Sequence, residues 1–190
     1  MVSLIGRLHL PTALAQGARS LMLLVFSLGT IPAQADTDQR PDPASAWELS
    51  IAIPDGEGER ALSLDPGVHF HVILSNRAGV VQKVWKESNS WGYAALRFEL
   101  TNPSGDKFVV TKKDRSWRKN IPSFWSLNAG ENLVYNVFLG SAEWAGLPPT
   151  PQGKHLTLRA IVEIPDEEKS REYGVWTGKV QSQPRDVVIR

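Results

Sequence analysis

The sequence predicts an all-β fold, an antiparallel sandwich of about eight to ten strands in one domain behind an export leader. Three observations carry that prediction. Apolar and polar residues alternate with period two in several stretches, and clusters of Gly, Pro, Asn and Asp recur between them. Beyond the leader, no stretch of about twelve residues shows the 3.6-residue period of a helix.

The elements follow in chain order. Arg7 and Arg19 precede the apolar run Ser20–Ile31, and Ala33 and Ala35 supply the small-x-small pattern of a cleavage site, so residues 1–35 read as a signal peptide. The apolar run is short for a membrane span, and a chain without cysteine has no thiol for lipid attachment. The processed chain is therefore expected free of the membrane, secreted or periplasmic. Residues 36–45, DTDQRPDPAS, are polar with two prolines and read as a flexible linker. The single domain is expected over residues 46–190.

Within that domain, Val68, Phe70, Val72 and Leu74 alternate along one face of a strand, as do Leu96, Phe98 and Leu100 against Arg97 and Glu99. Leu156, Leu158, Ala160, Val162 and Ile164 repeat the pattern. Residues 132–139, NLVYNVFL, are apolar on both faces and are expected to form a central strand. Turns are expected at 54–59 (PDGEGE), 64–67 (LDPG), 102–106 (NPSGD), 128–131 (NAGE) and 146–153 (GLPPTPQG).

Composition narrows the function classes. Without residues 1–35, which hold two arginines and no acid, 19 basic side chains face 20 acidic ones, a net charge of about −1. Such a balance supplies no global field to draw nucleic acid or a membrane surface. With no cysteine in the chain, an exported protein of this size must be held by its core. All seven tryptophans lie after residue 45 and must be buried, shielded or used.

The stretch Ser126–Leu139 sets a leucine and a Gly-containing acidic turn before an apolar strand, and Asn76 closes the strand VILSN. This corner resembles the immunoglobulin-like domains of exported bacterial proteins, including the family named after the BsuPI proteinase inhibitor. The resemblance spans about Val68 to Val162 and implies an immunoglobulin-like sandwich. It does not carry an activity, because function belongs to a site rather than to a fold.

Aromatic and basic residues supply the candidate site. Trp85, Trp91 and Tyr93 flank the turn ESNS, and Lys112–Lys119, KKDRSWRK, sets five basic residues around Trp117. Rings on loops stack on sugars or peptides, and the cations neutralise an anionic polymer; equally, large rings fill a core that has no disulfide, and charged loops are commonplace. Trp91 and Trp117, flanked by polar residues, are expected at the surface. The candidate ligand-binding residues are Trp91, Tyr93, Arg115, Trp117 and Arg118. The expected partner is a protein or an envelope polysaccharide, with no nucleic acid and no cofactor.

Metal and catalysis are not expected. His69 and His71 sit side by side on the outward face of their strand, with His155 as the nearest third candidate. Asp55, Glu57 and Glu59 are spaced like calcium ligands, but Arg60 and Pro66 stand where such a loop needs Gly and Glu. That stretch and residues 165–172, PDEEKSRE, read as acidic turns. No G-x-S-x-G, H-E-x-x-H or phosphate-loop motif occurs. The alternative to a binding module is a secreted proteinase inhibitor presenting Lys119–Ser126, KNIPSFWS, stiffened by Pro122. A third class is a structural subunit assembled at an open strand edge.

Overall fold

Each strand forms where a row of apolar side chains can turn inward. In the computed structural model, residues 46–54, 61–62, 69–149 and 155–189 are described. The expected leader and linker, residues 55–59 and 64–67 of the first two turns, Val68 and residues 150–153 lie outside them. The chain first forms β1 (Trp47–Ala52), β2 (Ala61–Leu62), β3 (Phe70–Asn76), β4 (Gln82–Trp85) and the single helical turn α1 (Ser90–Tyr93). β5 (Leu96–Thr101), β6 (Lys107–Lys112), β7 (Phe124–Leu127), β8 (Asn132–Val137) and β9 (Trp144–Ala145) follow. The last elements are β10 (His155–Ile164), α2 (Glu168–Tyr173), β11 (Gly178–Gln181) and β12 (Arg185–Ile189).

The fold is all-β, as the alternation predicts. One sheet has the order β1-β3-β8; a larger one runs β2-β12-β10-β5-β6-β9, with β11 also on β10; β4 and β7 form a separate pair. Every pairing is antiparallel except β2 with β12. The twelve strands among the described residues exceed the expected eight to ten. The excess comes from two-residue pairings at β2 and β9 and from a bend that divides one long ribbon.

The inward faces are those of the sequence pattern. Leu96, Phe98 and Leu100 on β5 are buried, as are Leu156, Leu158, Ala160, Val162 and Ile164 on β10 and Phe70, Val72 and Leu74 on β3. Phe70 meets Phe98 edge to face at 5.6 Å and so joins the inner faces of the two larger sheets. Each such ring, taken from water, contributes about 2–3 kcal/mol.

The ribbon bends at Asn76. β4 pairs with β7 from Trp85↔Phe124 to Gln82↔Leu127, and β3 pairs with β8 from Ser75↔Asn132 to Phe70↔Val137. Between these halves, the buried Asn76 amide donates to the carbonyls of Val80 (2.9 Å), Leu127 (2.9 Å) and Asn128 (3.1 Å), and its oxygen accepts from Ala78 N (2.9 Å). The opposing turn is closed by Gly130 at φ 81°, which a residue with a Cβ resists. Asn128 donates from backbone and side chain to the Glu131 carboxylate (2.7 and 2.9 Å), which holds that carboxyl below its ordinary range.

Two expectations are corrected here. β8 is an edge strand, bonded to β3 alone, because only Tyr135 and Val137 of its residues turn fully inward while Asn132, Val134 and Asn136 face water. Residues 165–172 are not a simple acidic turn. Glu168–Tyr173 wind into α2, which ends at Gly174 in the left-handed conformation (φ 61°), its N–H donating back to Ser170 and Arg171. Pro165 before the helix and Gly174 after it keep it short.

Candidate functional site

Three of the five candidate residues come together beside the end of β6. Their placement begins with Asn89. Its buried side chain accepts from Gly92 N (3.0 Å), capping α1, and donates to Ser123 O (2.8 Å), which ties α1 to the segment before β7. Gly92 lets α1 lie against the backbone: a Cβ there would collide with the carbonyl of Lys86. Tyr93, the last residue of that turn, is thereby aimed at β6.

β6 delivers Lys112, and β9 pairs beside it with Lys112 opposite Trp144. Rings and cations then interleave. Arg115 lies 4.9 Å from the Trp117 ring and 5.8 Å from the Tyr93 ring, and Tyr93 meets Trp117 edge to face at 5.5 Å. On the other side, the Lys112 ammonium is 5.0 Å from Tyr93, 5.4 Å from Trp144 and 3.3 Å from the Glu87 carboxylate. Trp144 is anchored in the core against Phe98 at 5.2 Å. Glu87, Ser88, Tyr93, Lys112, Arg115 and Glu143 line a shallow hollow of about 340 Å³.

The electrostatics are local. The Lys112 side chain is only 14% exposed, so its charge is partly desolvated and held by Glu87 and two rings. The buried Tyr135 hydroxyl is pushed well above its ordinary value by burial, with the Glu87 carboxylate adding to the effect. Lys113, before Arg115, and Arg118 and Lys119, after it, are exposed along the same segment.

Trp91 lies elsewhere. Residues two apart on a helical turn point to opposite sides, so Trp91 stacks on the buried Trp85 (5.5 Å between centroids) and faces a different hollow with Glu163, Glu167 and Ser170. Neither Trp91 nor Trp117 is fully at the surface, contrary to expectation; each is half-buried against another ring. The exposed tryptophan is Trp125, 47% open, with the Lys86 ammonium 4.1 Å from its ring. Arg118 is exposed and takes no ring or ion-pair contact among the described residues.

Sequence reasoning missed Lys112 as a site residue, together with Glu87 and Trp144. One signal for Lys112 was available: it follows Val110 by two along β6, so it continues the inward face of that strand. The pairings that bring Glu87 and Trp144 beside it leave no local pattern.

His69 and His71 point outward as expected, His69 against Phe138. Among the described residues, no group of three or more His, Asp or Glu is arranged to hold a metal ion. No helix among them is long and apolar enough to cross a membrane. Compared with known proteins, the chain matches no family model, no curated protein and no solved structure.

Proposed function

We propose that this chain is an exported immunoglobulin-like sandwich that acts as a binding module without chemistry of its own, and that it grips an acidic envelope polysaccharide. The observation that carries the reading is the alternation Trp117, Arg115, Tyr93, Lys112, Trp144, each within 6 Å of the next. Rings hold the two cations in place before a ligand arrives, which lowers the entropy lost on binding. The exposed Lys113, Arg118 and Lys119 extend the positive row. A polymer that repeats its charge suits such a row. A protein partner would ask for a desolvated apolar centre, and here the ring faces are occupied by the chain's own cations.

The test is binding of a uronic-acid polymer and of a neutral glucan across a range of salt. Binding to the acidic polymer alone, weakening as salt rises, is expected. Arg115→Ala and Trp117→Ala should each reduce affinity about two- to fivefold, since Arg115 is exposed and an exposed cation–π pair contributes about 0.5–1 kcal/mol. Salt-independent binding, or binding unchanged in both variants, overturns the reading.

One observation favours the inhibitor class as a second reading. Residues 124–126 belong to β7, so the presented part of KNIPSFWS is Asn120–Pro122, with Ile121 69% exposed. It is braced on both sides: Asn120 bonds Ser90 N (2.9 Å) and Oγ (2.6 Å), and Ser123 O accepts from Lys86 N (3.0 Å) and from Asn89. A stiff, protruding segment is what a protease cleft accepts at low entropic cost. Slowing of at least one secreted protease, abolished by Ile121→Asp, supports this reading; no inhibition across a panel removes it.

A further inference from the structure

We infer that two copies of this chain associate through β8, edge to edge, about a two-fold axis at Val134. β8 ends its sheet, bonded to β3 on one side only. Among the described residues, no other backbone or side-chain group hydrogen-bonds to Asn132–Val137. An open edge is a row of N–H and C=O groups spaced for another strand, and folds ordinarily guard it with Lys, Pro, a bulge or a covering element. β8 carries no charge, no proline and no glycine, and Val134 at its middle is 53% exposed. The other ends of the sheets differ: β1 carries Glu48, β4 Lys83 and β11 Lys179, β7 has only four residues, and β2 and β9 have two each.

The residues themselves argue for a second copy as the occupant. The outward side chains Asn132, Val134 and Asn136 read the same from either end. In an antiparallel pairing centred on Val134, valine meets valine and each Asn132 meets an Asn136 of the other copy, where amides both donate and accept. Leu133 falls opposite Tyr135 on the inner face. Glu131, the nearest charge, falls opposite Val137 at each end, so the two carboxylates stand apart, and each is already bonded to its own Asn128. An unrelated peptide would meet the backbone alone, whereas a second copy also meets matched side chains.

The full chain can be tested without altering its core. Light scattering should show a concentration-dependent dimer, and Val134→Lys, which sets two ammonium groups face to face, should weaken it about tenfold or more while leaving the melting temperature of the dilute monomer unchanged. Because the chain has no cysteine, Val134→Cys introduces a single thiol. On the two-fold axis, paired Cα atoms lie roughly 4.5–5.5 Å apart, within disulfide reach, so this variant should cross-link under mild oxidation. Val109→Cys, equally exposed on β6 at 55%, should not. A monomer at all concentrations, a dimer indifferent to Val134→Lys, or cross-linking of both cysteine variants alike would each overturn the proposal; the last two also expose association through any other part of the chain.

Discussion

Asn76 illustrates how much of the fold can hang on one polar side chain. Its amide supplies the donors for three backbone carbonyls at the bend of the ribbon, and its oxygen takes the Ala78 N–H. Truncation strands those groups away from water, and a buried unsatisfied group costs about 1–3 kcal/mol. Asn76→Ala is therefore expected to cost about 3 kcal/mol or more, a large part of the roughly 5–15 kcal/mol that a domain has in total. Asn76→Asp is expected to be worse, since it removes both donors and sets a carboxylate against carbonyls. Urea unfolding measures both; a loss below about 1 kcal/mol for the alanine variant would show that water replaces the amide.

At the level of elements, α1 connects stability to the candidate site. It is a single turn, too short to persist alone, and it is fixed by the Asn89 cap and by the contact of Gly92 with Lys86. Two effects compete in Gly92→Ala. Helix propensity favours alanine by about 1 kcal/mol, but the neighbour is a backbone carbonyl that cannot rotate away, and overpacking costs about 1–3 kcal/mol. The clash wins, so the variant should melt lower and also bind an acidic polymer less tightly, because Tyr93 is displaced from Arg115 and Lys112. Unchanged melting and binding would mean that α1 shifts freely and does not set the site.

For the molecule as a whole, the distribution of tryptophan separates core from surface. Trp144 is buried against Phe98, whereas Trp125 is largely open. Trp144→Ala should cost about 3–5 kcal/mol, and Trp125→Ala should stay within about 0.5 kcal/mol. Differential scanning calorimetry of the two variants checks this; comparable losses would mean that Trp125 packs far more tightly than its exposure indicates. The same contrast marks the reach of sequence reasoning. Period-two alternation located β3, β5 and β10 and their inward faces, because a strand that buries one face must write that face into every second residue. NLVYNVFL misled for a related reason: valine suits an exposed strand position as well as a buried one, so composition alone did not distinguish an edge from a centre. α1 and α2 escaped notice because helices of four and six residues are too short to show a period.

What could be read from residues alone was local: which side chains turn inward and where the chain reverses. Neighbours in a strand or turn constrain one another directly, so that information is present in the order of residues. The company each side chain keeps was settled by folding. Tyr93 met Arg115, Lys112 and Trp117 because an Asn-capped turn and a two-residue strand were brought to the end of β6, and Trp91 was turned away by the geometry of that same turn. Those meetings join residues as far apart as Glu87 and Trp144, and pairing over such separations is dictated by how sheets close around a shared core, which no short stretch of chain can encode.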